Sequence, residues 1–355
     1  MPSAWETVGM LQRPALRFLA AAAAVVLGAG VLVACGGTSK PGSSGSITLY
    51  SGQHAETTQA EITAFERQTG IRVNARSGDE NALVQQIQQE GSSSPADVVL
   101  TENSPALMFL QGKGLLAPVP ASALSVVPAR YNSPAGDWVG FSARVSVLVY
   151  NTSQLATGQV PTSILDLANP RWKGKLALAP TEPDFQPIVT SVALAEGEQA
   201  ALQWLKAVKS NASGHIDPDN ETVTADVNRG QAELGVVDHY YWYRTAKNVG
   251  TARLQSQIGF LSAGDPGYVI DISGASVLKS SRHKAEADQL VGFLVSQAGQ
   301  HALLSSNSFE YPLRPGVGDP AGLKPFSQLQ PAPITVAQLG DGSVALRLLQ
   351  QAQLI

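Results

Sequence analysis

The chain has 355 residues, with 24 Lys and Arg against 28 Asp and Glu, a net charge of −4 and a single cysteine. No basic stretch resembles a nucleic-acid footprint, which excludes DNA and RNA as partners. One thiol excludes disulfides, Cys-ligated zinc and iron–sulfur clusters, so any metal must be held by His, carboxylate or phenolate.

In chain order, Arg13 and Arg17 precede an apolar, small-residue run over 18–34, the charged and hydrophobic regions of an export signal. Leu32-Val33-Ala34-Cys35 reads as a lipobox, and Met10 is an alternative start that would give the signal a more ordinary length. The run is short for a membrane span. The expected organisation is a lipoprotein signal peptide over 1–34, lipid attachment at Cys35 and a flexible Gly/Ser/Pro tether over 35–45. That anchors the mature protein on the outer face of a bacterial cytoplasmic membrane.

The remaining length suggests two domains. Residues 46–51 alternate like a strand ending at Gly52, residues 56–69 carry Ala60, Ala64 and Phe65 at helical spacing before Gly70, and 71–73 begin a second strand. A helical pattern over 81–90 and a buried-type strand over 96–100 follow. Strand, helix, strand, helix, strand implies a parallel sheet with right-handed crossovers, in which ligands collect beyond the carboxyl ends of the strands. His54 follows the first strand and Glu102 the third. Residues 145–150 form a β run that carries the backbone into a second lobe, and residues 172–178 open another strand. Helices are expected over 188–195, 199–209 and 222–230. A strand over 232–237 then delivers residues 238–243, and 276–278, 284–297 and 299–305 return to the first lobe as a strand and two helices. The fold class is therefore α/β in two lobes, each a mixed, mainly parallel sheet flanked by helices.

Asp238-His239-Tyr240-Tyr241-Trp242-Tyr243 is the most unusual segment. A strand alternates faces, so neighbouring tyrosines in one cleft require the segment to bend. A free phenol ionises only near pH ~10, but a strongly polarising cation holds the phenolate at neutral pH. Ferric iron is the biological candidate, with an aromatic cluster divided between core and interface as the alternative.

These residues occur with Leu49-Tyr50-Ser51-Gly52-Gln53-His54, Pro95-Ala96-Asp97-Val98, Thr101-Glu102, Trp172-Lys173-Gly174-Lys175 and Tyr311-Pro312-Leu313-Arg314. In that order they resemble the ferric-ion-binding proteins of bacterial iron ABC transporters, a bilobed, transferrin-like periplasmic binding protein family. The resemblance covers nearly all of the chain after the tether. It implies an N-terminal lobe of 46–144 plus about 272–327 and a C-terminal lobe of 145–271 plus about 328–355. It implies metal ligands at His54, Glu102, Tyr240 and Tyr241, ferric iron as the cargo, a permease with its ATPase as partners, and a monomer. Two phenolates and a carboxylate match the ferric charge, and oxygen-rich sites favour such a hard cation.

One departure bears on the mechanism. Where the family completes the iron shell with an anion held by serine, a backbone amide and asparagines, this chain has Glu182, Pro183, Asp184, Asn220 and Asp238. Pro183 has no amide proton, and carboxylates repel an anion at short range. Two readings follow: Glu182 or Asp184 coordinates iron in the anion's place, or Asp238 accepts a hydrogen bond from a ligand side chain. Arg144, at the lobe boundary, balances this acidity, contacts an anion or forms a hinge ion pair. His239 reads as a spare ligand, a pH-sensitive neighbour or a surface residue, Trp242 and Tyr243 as packing beneath the site, and Tyr268 as within reach of the cleft. The competing functions are an aromatic box for a polyamine, thiamine or other organic cation, and a metal-dependent hydrolase, for which the chain has no Gly-x-Ser-x-Gly or His-Glu-x-x-His motif.

Overall fold

The computed structural model describes residues 45–355, so the export-signal run, Cys35 and almost all of the tether lie outside it. Strand β1 (Ser46–Ser51) is followed by α1 (Ala55–Thr69), β2 (Arg72–Ser77), α2 (Glu80–Glu90), β3 (Val98–Thr101) and α3 (Ser104–Gly112). β1 pairs in parallel with both β2 and β3, as two helical crossovers require. Helix α1 begins beyond His54, whose side chain makes no capping bond, and ends at Gly70, whose φ of 73° disfavours any residue with a Cβ. His54 thus sits beyond the carboxyl end of β1 with its ring not engaged in capping α1, and Glu102 sits beyond β3.

A short helix, α4 (Ala121–Leu124), leads to β4 (Val139–Asn151), whose 13 residues are all buried. β4 changes partners along its length. Val139 to Val145 pair with β8 (Ile270–Val277), which also pairs with β3, whereas Ser146 to Tyr150 pair with β6 (Leu234–Asp238). Through β6, the strand β5 (Leu176–Ala177) joins the second sheet, while β7 (Ser256–Gly259) and β9 (Tyr311–Pro312) pair with β4 at Leu148 to Asn151 and at Ser142 and Ala143. Each half of β4 is the spine of one α/β lobe. Arg144 lies one residue before the exchange and is the only charged side chain of the strand.

Helices α5 (Phe185–Glu196), α6 (Glu198–Asn211), α7 (Asn220–Arg229) and α8 (His239–Val249) surround the second sheet. Helices α9 (Lys284–Leu294) and α10 (Gln297–Ser305) return to the first, where Phe293 meets Phe65 of α1 edge to face at 5.5 Å. The chain ends through α11 (Val336–Leu339) and α12 (Ser343–Gln351), which buries Leu348 and Leu349 and packs on α5 and α6. Among the described residues, no helix is long and apolar enough to cross a membrane.

Three local expectations are corrected. The tyrosine segment is not a bent strand but the opening turn of α8. Consecutive helical residues lie about 100° apart, so at a helix start two neighbours project over the strand end without any bend in a sheet. The strand expected over 172–178 is only Leu176–Ala177, because Trp172 closes a 3₁₀ turn that Asn169 caps. The strand expected at 276–278 is the tail of β8, whose earlier residues Asp271, Ser273 and Gly274 read as polar or flexible yet are buried between β3 and β4.

Candidate metal centre

The two halves of the tyrosine, histidine and glutamate set meet in the cleft between the sheets. His54 Nε2 lies 2.8 Å from the phenol oxygen of Tyr240 and 3.0 Å from Oε1 of Glu102. A nitrogen with one lone pair or one proton cannot satisfy both neighbours at once, so this is a convergence of donors on a small volume. The Tyr240 and Tyr241 rings are in contact, centroids 4.1 Å apart, and both meet the His54 ring edge-on at 5.2 and 5.6 Å. Among the described residues, no group of three or more His, Cys, Asp or Glu is placed to hold a metal ion. A metal bound by His54 and Glu102 would therefore need further donors, and the two phenols stand beside them.

Asp184 closes the far side. Its Oδ2 accepts hydrogen bonds from Tyr241 at 3.1 Å and from Tyr240 and the Asn220 amide at 3.3 Å, while Oδ1 accepts from the Asn103 amide at 3.2 Å. Arg144 lies behind it, with Nε 3.6 Å from Asp184 and 3.2 Å from Asp238. The same guanidinium donates to the Glu102 carbonyl and to Ser273 Oγ. Arg144 and Tyr240 are fully buried. The Glu102 main chain is itself held, because the buried carboxylate of Glu80 accepts from the amides of Glu102 and Asn103. Gly52 makes room for this, since a Cβ there would lie 2.9 Å from that of Glu80.

Burial and the Asp184 charge push both Tyr240 and Tyr241 phenols well above their ordinary range. Burial pulls the His54 imidazole down, but the Glu102 charge and hydrogen bond outweigh it and leave His54 raised. For Glu102, burial is opposed by His54 and Arg144, and the carboxyl is left below its ordinary value. The metal-free centre thus holds its carboxylate ionised and its phenols protonated. A cation entering it must displace protons from the phenols.

Several expected residues do not join the donor set. Glu182 makes no hydrogen bond to either phenol; it lies at the turn into α5, where burial and the charges of Asp184 and Glu102 push it to about 8. Asp238 accepts nothing from Tyr240, Tyr241 or His54, and its charged contact is Arg144. His239 is neither a ligand nor at the surface: it is fully buried, accepting at Nδ1 from the Val145 amide and donating from Nε2 to the Phe309 carbonyl. Tyr243 stacks on Phe309 at 5.8 Å and donates to the Gly322 carbonyl, with Trp242 against it, on the flank of α8. Tyr268 packs on Phe260 instead of reaching the phenols. Sequence reasoning missed Asn103, Gln53, Ser273 and Glu310. Asn103 had a signal, its position after Glu102; the others are ordinary polar residues brought together by β4 and β8.

Sheets that share a crossing strand, with polar groups from both lobes converging between them, define a solute-binding protein. The chain matches the family described as bacterial extracellular solute-binding protein over residues 93–334, and it belongs to that family. It is a binding protein, not an enzyme. The Fe(3+)-binding periplasmic protein of Serratia marcescens is 38% identical over 309 residues, 87% of this chain and 90% of that protein. The major ferric iron-binding protein of Neisseria gonorrhoeae is 37% identical over 308 residues, 86% of this chain and 92% of that protein. Among solved structures, iron-bound HitA from Pseudomonas aeruginosa superposes with a TM-score of 0.83 at 39% identity, covering 87% of this chain and 99% of that one.

Proposed function

We propose that this chain captures ferric iron between its lobes and delivers it to an ABC permease and its ATPase from the outer face of the membrane, anchored through lipid on Cys35. The observation that carries the reading is the convergence of His54 Nε2, Tyr240 and Glu102 within 3.0 Å across the cleft, with Tyr241 beside them. In this reading His54, Glu102, Tyr240 and Tyr241 are the ligands. Three anionic oxygens balance the ferric charge, and imidazole adds a bond without disturbing that balance. His54 and Glu102 follow strands of the first sheet and the tyrosines follow β6 of the second, so the metal favours the closed state by the bonds formed only there. In this reading the lobes run over 46–144 plus about 272–327 and over 145–271 plus about 328–355, and the exchange of β4 from β8 to β6 after Val145 supports the first of these limits.

Asp184 takes the place of an exogenous anion. It presents one carboxylate oxygen to both phenols, and Arg144 offsets the added charge. An organic cation is disfavoured because the two phenol rings touch each other and leave no box between them. Release follows cleft opening, reduction of the iron or reprotonation of the phenolates.

The test is metal analysis and competition binding on the purified protein. One ferric ion per chain from ferric citrate, undisturbed by excess spermidine or thiamine, is expected. Saturable binding of either organic cation with no retained iron would overturn the reading.

A further inference from the structure

The segment 308–311 returns from α10 to β9 through a backbone that a side chain seldom adopts. Phe309 has φ 58°, the left-handed region that costs an L-residue of order 1 kcal/mol and persists only where its surroundings enforce it. What the kink achieves is visible on its two sides. The Phe309 carbonyl accepts from His239 Nε2 at 2.8 Å, and the His239 ring stacks on Tyr311 with centroids 4.9 Å apart. His239 directly precedes the two tyrosines. The next residue, Glu310, turns its fully buried carboxylate the other way, where Oε2 accepts from Ser142 Oγ, from Ser273 Oγ at 3.2 Å and from Gln53 Nε2 at 3.3 Å, with Arg144 Nη1 at 3.8 Å. Gln53 Oε1 in turn accepts the main-chain N–H of His54 at 2.7 Å.

Two consecutive residues therefore reach the neighbours of both ligand pairs. We propose that Phe309-Glu310 is a two-sided clamp that sets the register of the Tyr240–Tyr241 pair against His54, with Gln53 and His239 as the positioning residues through which it acts. The inference rests on the iron reading of the cleft. Its physical content is that Gln53, 3% exposed and hydrogen-bonded at both ends of its amide, leaves the start of α1 one position relative to the hinge strands. His54 has no side-chain cap of its own to do this. The strained kink supplies the fixed point. Groups that orient a ligand in this way typically change metal affinity by about 10–100-fold when removed.

The experiment loads wild type, Gln53→Leu, Gln53→Glu, Glu310→Gln and the Gln53→Glu/Glu310→Gln double variant with ferric citrate. It then follows the visible phenolate–iron band during challenge with excess EDTA. The clamp predicts that Gln53→Leu starts with a band of wild-type intensity, since both phenolates remain, but loses iron about tenfold faster. Gln53→Glu sets two carboxylates against each other and releases iron faster still. The double variant exchanges amide and carboxylate while keeping the His54 acceptor and the total charge, and recovers slow release. It carries the test even where a single variant does not fold. Release from Gln53→Leu as slow as from wild type, or from the double variant as fast as from Gln53→Glu, overturns the clamp. A wild type that takes up no iron overturns the reading of the cleft and the clamp with it, so the two failures are told apart by the first spectrum.

Discussion

The carboxylate of Asp184 accepts a hydrogen bond from the Tyr241 phenol at 3.1 Å. Because the same oxygen also meets Tyr240 and the Asn220 amide, its removal empties an acceptor site still lined by donors. Asp184→Ala is expected to weaken iron retention about tenfold in buffer freed of phosphate and carbonate, and added phosphate is expected to restore much of it. Wild type is expected to be indifferent to the anion. Equilibrium competition with citrate in the two buffers measures both, and an anion requirement in wild type would remove the proposed role of Asp184.

Arg144 is surrounded by carboxylates. Deleting its charge leaves Asp184, Asp238 and Glu310 buried without their cation. Arg144→Met is therefore expected to destabilise the metal-free protein by about 3–5 kcal/mol in urea unfolding, the cost of breaking rather than replacing a buried pair. A loss below about 1 kcal/mol would contradict a buried ion-pair role for Arg144.

His239 gives a pH dependence with a definite sign. Burial and the nearby Arg144 charge, against its hydrogen bonds to Phe309 and Val145, bring it from 6.5 to about 3 in the folded chain. The unfolded chain therefore takes up this proton first, and stability is intact above about pH 6.5 but falls as pH drops toward 3. The loss is about 1.4 kcal/mol per unit at its steepest. Urea unfolding of metal-free wild type and His239→Gln between pH 7.5 and 5 isolates the contribution. The variant is expected to show the shallower decline, whereas parallel curves would contradict the neutral, doubly bonded imidazole.

Why His54 and Glu102 were legible and Glu310 was not has a physical basis. The first two follow strands whose alternation and burial are local properties, and beyond the ends of parallel strands is where ligands collect. Tyr240 and Tyr241 were legible as chemistry but not as geometry, because the opening turn of α8 presents two neighbours that a strand would separate. Asp184 was apparent as an acid in an unexpected place. Its choice over Glu182 depends on the turn into α5, where one side chain is directed at the phenols and the other is not. Gln53 and Glu310 are 257 residues apart and carry no local signal; only the pairing of β4 with β8 and β9 brings them together. Strand β8 carries no alternation because its edges pair with β3 and β4 while α3 and α9 pack against it, and burial of successive residues removes the period-2 pattern.

Proton release follows from the raised phenols. Two phenol protons must leave when iron binds, joined by the His54 proton at pH values below its raised pKa. The apparent iron affinity is expected to fall by roughly a hundredfold per pH unit on acidification, and more steeply at the acid end. Competition against a chelator of known protonation, repeated across pH 6 to 8, checks this; a slope of one proton or fewer would exclude two neutral phenols in the metal-free centre.

The central claim is tested most directly by the visible spectrum of the protein titrated with ferric citrate. Wild type is expected to develop a phenolate-to-iron absorption band that saturates at one ion per chain, and Tyr240→Phe and Tyr241→Phe are each expected to weaken it. A protein that stays colourless, or a band unchanged in both variants, would contradict an iron centre built on these two phenols.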